Sequence, residues 1–373
     1  MKLFICVMSL FWAVYSSAAM IRSLEVMFYN VENLFDTSHD NGKDDWTFVP
    51  KKNKNKQNAC DRIKNPYYRR LCNEVDWKPE KLEIKMNQIG DVVKNGRNNI
   101  PDVLALCEVE NENVVRMLAK KIGYEKIIVA DGPDRRGIDV ALMYRELPGM
   151  KFVYKKEHVL KGSYFKKKPT RTILEVEFLI NKNQSVTFLV NHWPSQANPS
   201  EVRKIAAQKV IEIVKEKTKK NSKHNFIVLG DFNTIPEDHP HPFKDVIFKS
   251  GLLKDVHNEY MRSKKITKAQ KKTIPLGTFF YYRNMTWNLL DRIFVSNNLM
   301  KKKKGMYVEL PSYEIYTPDF IIRDYVYDNS SFHRGTKVTG VPKDYNFTAT
   351  SRNGAGYSDH FPVVVRFNFK NQK

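Results

Sequence analysis

The stretch Phe226-Ile227-Val228-Leu229-Gly230-Asp231-Phe232-Asn233 limits the possible folds more than any other part of the chain. Its first four residues are all apolar, and a run with that pattern folds as a strand buried on both faces. A strand of that kind needs a packed layer on each side. It stops abruptly at Gly230 and leaves Asp231 and Asn233 where a loop should begin. The design recurs: Leu24–Tyr29 runs into Asn30, Val103–Cys107 into Glu108, and Val186–Val190 into Asn191-His192. Asp291 lies inside Leu289–Val295, and Asp359-His360 come just before a closing strand at Val363–Phe369. Further strands are expected at Lys126–Ala130, Val140–Tyr144 and Ile173–Leu179.

Helical patterns interleave with these runs. Pro79 opens one helix, with Leu82, Met86, Ile89 and Val93 at helical spacing and an end expected near Gly96. Asn111 is expected to cap a second that closes at Gly123. Ser200 is expected to cap a third, with Val202, Ile205, Ala206, Ile213 and Val214 on one face. There is no internal repeat and no Gly/Ser linker. The expectation is one α/β domain over residues 20–373, with insertions near 37–77 and 311–356. An irregular region is expected to start at Lys301–Lys304.

Residues 1–19 read as a secretory signal: Lys2, an apolar Leu3–Tyr15, then Ser16-Ser17-Ala18-Ala19. The apolar run is short for a membrane span. The expected location is therefore outside the cytoplasm, periplasmic or secreted, with no stable membrane insertion. In an oxidising compartment Cys60 and Cys72 are candidates for a disulfide, which would contribute roughly 3 kcal/mol in the chain-entropy model. Cys107 reads as a small buried thiol within an apolar strand. The chain carries 63 Lys+Arg against 41 Asp+Glu, a formal +22, which favours polyanionic partners. Lysine clusters at 51–56, 166–168, 215–220 and 301–304 are candidate contacts for a phosphate backbone. Phe279-Phe280-Tyr281-Tyr282 reads as an amphipathic strand or as a stacking surface for bases.

Each polar strand end has an ordinary explanation when taken alone: a turn, a cap, or a packed loop histidine. If the strands share one sheet, the ends meet on one rim, and the set acquires a chemical sense. Carboxylates suit a hard divalent cation, imidazoles move protons, and asparagines donate to phosphate oxygens without adding negative charge. Together they are the parts for metal-assisted phosphoester hydrolysis.

Five segments carry a resemblance, in order along the chain: Asn30-Val31-Glu32-Asn33-Leu34-Phe35-Asp36, Glu108-Val109-Glu110-Asn111, Asn191-His192-Trp193-Pro194-Ser195, Gly230-Asp231-Phe232-Asn233 and Ser358-Asp359-His360. They resemble the successive motifs of the endonuclease/exonuclease/phosphatase superfamily, and of its bacterial branch with the Asn-Val-Glu-Asn-Leu-Phe-Asp opening. The stretches Arg135–Leu142 and Trp287–Asp291 also resemble that branch. The resemblance implies a deoxyribonuclease-I-like α/β fold: a four-layer sandwich of two packed mixed β-sheets flanked by helices. It implies Mg²⁺, with Mn²⁺ or Ca²⁺ as alternatives, on Glu108 with Asn30, and with Glu32 through water. Asp359 would lie near the metal or a second cation. Asp291 would orient His360, and both His360 and Asp231 are candidates for activating the attacking water. Asn233 and His192 would hold phosphate oxygens, with His192 a candidate acid for the leaving oxygen and Asp139 or Arg136 completing the shell. The function expected is a monomeric, exported, metal-dependent nuclease acting on DNA or RNA. The alternatives are a phospholipase C-type phosphodiesterase resembling sphingomyelinases, and a catalytically silent polyanion-binding protein.

Overall fold

A computed structural model describes residues 20–95, 99–181, 184–302, 305–327 and 334–370. The expected signal segment, Gly96 and Lys303–Lys304 lie outside the described residues. Two six-stranded mixed sheets form the centre. The first runs, in spatial order, Gly305–Ile315, Val363–Lys370, Ser23–Leu34, Val103–Val109, Asp139–Tyr144, Lys126–Val129. The second runs Met150–His158, Ile173–Ile180, Gln184–His192, Asn225–Asp231, Asp291–Ser296, Leu253–Asp255. Each has one parallel pair near its middle, Ser23–Leu34 with Val103–Val109 and Gln184–His192 with Asn225–Asp231.

The all-apolar runs are explained by what covers them. Ile227, Leu229, Ile293 and Val295 face the interior between the sheets. Their neighbours Phe226, Val228 and Phe294 face outward, onto Val202, Ala206, Val210 and Val214 of the helix Ser200–Lys220. Alternate residues thus serve different cores, and each such side chain contributes roughly 1.5–3 kcal/mol by burial. The helices Pro79–Lys94 and Glu112–Ile122 pack against each other and extend the core of the first sheet. Asn111 caps the latter by accepting from the Val114 N–H, and Gly123 ends it at φ +106°. The long helix differs from expectation. Pro199 precedes it without a side-chain cap, and the Ser200 hydroxyl donates to the His239 carbonyl instead.

The insertion after the first strand holds two short helices, Lys56–Asp61 and Pro66–Glu74, joined by a Cys60–Cys72 disulfide. Lys56 is buried and donates to the Thr47, Val49 and Val75 carbonyls at 3.0, 2.7 and 2.8 Å. It therefore ties the insertion together and is not available to an external phosphate. Phe48 fixes the insertion to the body, stacking on Phe35 and meeting Trp77 and Phe347 edge-on. Lys217 likewise pairs internally, with Glu175 and Glu177.

The expected irregular region beyond Lys301 opens instead with an eleven-residue edge strand, Gly305–Ile315. A register shift between Glu309 and Glu314 accommodates Pro311, which has no N–H for the ladder, and the Ser312 hydroxyl accepts the Arg366 N–H. A small hairpin, Ile322–Val326 with Lys337–Pro342, follows. No helix among the described residues is long and apolar enough to cross a membrane.

Candidate active site

The polar strand ends do meet, but from two sheets and not one. Asn30, Glu108, Asp359 and His360 come from the first sheet and its loops; His192, Asp231, Asn233 and Asp291 come from the second. The site is a seam. It needs local backbone conformations that side chains adopt reluctantly. Glu32, Asn33, Glu108 and Asn233 have φ of 51°, 63°, 61° and 48°. The first three fall at bulges, where the register slips between Asn30 and Leu34 and between Cys107 and Val109. Bulges re-aim side chains, and left-handed non-glycine residues carry strain of order 1–3 kcal/mol that collects at functional sites. Gly230 has a different reason: a Cβ there would lie 2.2 Å from the Asn191 carbonyl oxygen on the neighbouring parallel strand.

Asn30 is fully buried, and its amide links the sheets, donating to Glu108 Oε1 at 3.3 Å and to Asp231 Oδ2 at 3.2 Å. Its own Oδ1 accepts the Glu32 N–H. Asp231 Oδ1 accepts the Asn233 N–H at 2.9 Å, and the Asn233 amide donates to the Trp193 carbonyl. Burial, with Asp291 opposite it across the strand pair, pushes Asp231 up to about 7. Burial and then Glu108 push Asp359 up, against the pull of His360, to about 6.

The two histidines are held in opposite states. His360 Nδ1 lies 2.7 Å from Asp291 Oδ2. Burial opposes charging this ring, but Asp291, Asp359 and Asp231 outweigh it and hold the imidazole well above its usual range. Thr278 Oγ1 fixes the Asp291 backbone, and the Phe279 ring lies 4.9 Å from the His360 ring. The aromatic run at 279–282 is thus partly a strand, Phe279–Tyr281, whose first residue flanks the site. His192 is buried too, but burial and then the Arg171 and Arg136 charges press its pKa well below the usual value. Its Nε2 is 3.7 Å from both Glu108 Oε1 and Asp231 Oδ2, and its buried Nδ1 has no hydrogen-bond partner. A neutral His192 has an N–H to offer and no charge.

Two contributors, Arg171 and Lys85, were not singled out in the sequence, and a third, Glu32, was expected only as a metal ligand through water. Arg171 is buried, donates to Asp134 and to the Trp193 carbonyl, and leaves its Nε without a partner. Glu32 Oε2 accepts the Tyr345 N–H at 2.7 Å and the Asp359 N–H at 2.9 Å, so this acid pins two loops. Lys85 lies behind them and donates to the Tyr357 carbonyl. Arg136 pairs with Asp134, and Asp139 accepts the Gly132 N–H and is pushed up to about 8 by burial. Both are engaged in holding the neighbouring loop.

The donor set fits a hard divalent cation. Glu108 and Asp359 are half-buried carboxylates, the chemistry that Mg²⁺ or Mn²⁺ takes with retained waters; Asn30, expected to share the ion, instead turns its amide N–H groups to Glu108 and Asp231 and its Oδ1 to the Glu32 N–H. Among the described residues, two compact groups place potential ligand atoms within 4.8 Å of one another: Asp231, Asp291 and His360, and Cys107, His192 and Asp231. Burial holds the Cys107 thiol well above its usual range, so it stays protonated, which disfavours the second group.

Comparison with known proteins places this arrangement in context. The sequence profile of the Endonuclease/Exonuclease/phosphatase family matches residues 62–368. A search of curated proteins returned no match. Among solved structures, an endonuclease/exonuclease/phosphatase family protein from Bacteroides thetaiotaomicron is 17% identical with a TM-score of 0.51, covering 94% of this chain and 98% of that one. The human Nocturnin catalytic domain with bound sulfate is 15% identical with a TM-score of 0.50, covering 94% and 97%. A mannosyl-6-phosphatase from Bacteroides thetaiotaomicron is 18% identical with a TM-score of 0.50, covering 93% and 100%. At these identities the likeness is one of fold.

Proposed function

We propose, because this chain belongs to the endonuclease/exonuclease/phosphatase family, that it is an exported Mg²⁺-dependent nuclease hydrolysing DNA or RNA phosphodiesters by in-line attack of water. The observation that carries this reading is the meeting of Asn30, Glu108, His192, Asp231 and the Asp291–His360 pair at one seam. A cation on Glu108 and Asp359, with Asn30 bracing Glu108, would supply charge stabilisation for the phosphoryl oxygens. The chain's residues do the rest. His192, neutral and with its Nε2 facing Glu108 and Asp231, suits a phosphate oxygen at that edge. The Asn233 amide, held by the Trp193 carbonyl, is the second group suited to those oxygens. Asp231, raised to about 7, is poised to accept a proton from water near neutral pH, while His360, held as a cation by Asp291, orients or donates. The basic excess favours a polyanionic substrate over a small phosphate.

A second reading, phospholipase C-type hydrolysis, draws on exposed apolar groups beside Phe279: Leu276 is 81% exposed and Tyr281 39%. One experiment separates the two. Purified mature protein is incubated with plasmid DNA, RNA, sphingomyelin vesicles and a phosphomonoester, with Mg²⁺ or with chelator, beside His360→Ala. The expected result is Mg²⁺-dependent cleavage of nucleic acid that His360→Ala abolishes. Cleavage of sphingomyelin alone would move the assignment to the second reading, and turnover of nothing would sink both.

A further inference from the structure

The insertion between the first strand and the helix Pro79–Lys94 takes no part in the chemistry above, yet it concentrates the charge of the chain. Residues 51–74 hold eight Lys and Arg against two acids, Asp61 and Glu74, a net +6 of the formal +22. Lys56 is spent on internal carbonyls, and Arg70 meets Glu74 at 3.9 Å. The side chains of Lys52, Lys54, Arg62, Lys64 and Arg69 make no hydrogen bond or ion pair among the described residues, and all but Arg69 are exposed. Tyr67 and Tyr68 stand among them, 60% and 58% exposed, with ring centroids 5.3 Å apart and planes at 74°. Rings left in water add nothing to the core and keep their faces for a partner.

This arm is rigid. Asn65 accepts the Tyr67 and Tyr68 N–H groups and so caps the helix Pro66–Glu74, and the Cys60–Cys72 disulfide ties that helix to Lys56–Asp61. A surface already ordered loses little freedom on binding. The arm is also seated beside the seam. Phe48 stacks on Phe35 and meets Phe347 edge-on, and the Trp77 indole donates to the Phe35 carbonyl. Phe35 directly follows the strand that delivers Asn30, and Phe347 lies two residues beyond Tyr345, whose N–H donates to Glu32.

Cations interleaved with exposed rings hold a nucleic-acid strand without reading its sequence, the cations taking phosphates and the rings taking base faces. A ring can take only a base that is not already stacked inside a duplex. We infer that the insertion is a second contact for the substrate, where Tyr67 and Tyr68 stack on unpaired bases while Arg62 and Lys64 pair with phosphates, so that single strands are favoured over duplexes. This rests on the nuclease reading above and sharpens its substrate class. An anionic membrane fits the arm less well. The one leucine of the helix Pro66–Glu74, Leu71, packs against the main core, which leaves no large aliphatic side chain for lipid.

The test uses the mature chain beside Tyr67→Ala/Tyr68→Ala and Arg62→Gln/Lys64→Gln. Binding of fluorescein-labelled oligothymidylate and oligouridylate is followed by anisotropy in chelator. Cleavage of the same strands, of a blunt duplex and of bis(p-nitrophenyl) phosphate, a diester too small to reach the arm, is followed in Mg²⁺. Wild type is expected to bind the single strands more tightly than the duplex. The tyrosine variant should bind them about tenfold more weakly at an unchanged salt slope, whereas the Arg62/Lys64 variant should lose about 1.4 from the log–log salt slope. Both should raise KM on the single strands and turn over the small diester like wild type. Unchanged single-strand binding in both variants would overturn the inference and leave the nuclease reading standing. So would an equal loss by the tyrosine variant on the blunt duplex. Loss of phosphatidylglycerol-vesicle binding by the tyrosine variant, with single-strand binding intact, would overturn it in favour of a membrane. Wild type cleaving neither single strand nor duplex would remove the nuclease reading itself.

Discussion

Asp291 and His360 act as one unit, because the carboxylate both orients the ring and keeps it charged. Asp291→Asn should leave the fold intact while lowering kcat by ~10²-fold or more, with Mn²⁺ affinity close to wild type. Single-turnover kinetics beside a metal titration check this, and an unchanged rate would detach Asp291 from the chemistry. Asp291 and His360 were legible as polar breaks beside apolar runs, and their pairing was implied by the family resemblance. Lys85 and Arg171 were not legible. A lysine at a helical position in a chain with 63 basic residues looks like surface, and nothing local marks its burial. Only the contacts with Tyr357, Tyr345, Asp134 and Trp193, all distant in sequence, identify them.

At the scale of elements, the loop that delivers Asp359 is held as tightly as any strand. Gly356 has φ +71°, and a Cβ there would lie 1.9 Å from the Asp344 carbonyl oxygen. Gly356→Ala must therefore displace one of two loops that share Glu32. It should cost more than ~2 kcal/mol of stability, read by urea denaturation, and most of the activity; a variant near wild type in both would refute the tight approach. On the far face of the second sheet, Glu175 accepts from Tyr154 at 2.5 Å, pairs with Lys217 at 3.0 Å and meets His158 at 2.6 Å. Burial works to raise its pKa, but these partners win and hold it at about 2. Because the folded pKa is depressed, the network's stabilisation is full above the ordinary glutamate value of about 4.3. It is lost as pH falls from there through about 2. Urea midpoints measured across that window should fall more steeply for wild type than for Glu175→Gln, and parallel curves would count against the network. The strand Gly305–Ile315 eluded sequence reading for a related reason. Its Pro311 and half-exposed alternation look like loop until the bulge and the pairing with Val363–Lys370 are seen.

For the whole molecule, the apolar runs pointed to an α/β domain with cover on both faces of its strands, while the two-sheet sandwich was implied by the family resemblance, and the structure supplies both. The surface was less legible. Counting lysine clusters overstated the free positive charge, since Lys56 and Lys217 are spent on internal carbonyls and carboxylates. The expectation that survives is collective. DNA affinity, measured by fluorescence anisotropy in chelator, should fall steeply and linearly on a log–log plot against salt, and a flat plot would exclude backbone binding.

The seam has one further consequence. Since neither sheet holds a complete set of reacting groups, catalysis reports on how the two halves of the sandwich are docked. During refolding from urea, helical and sheet signals can recover within each half while the halves remain unregistered. Turnover can return only when the Asn30 amide reaches both Glu108 and Asp231. Enzymatic activity should therefore lag the circular-dichroism signal and follow the last phase of core formation, making the chemistry a clock for the closing of the sandwich.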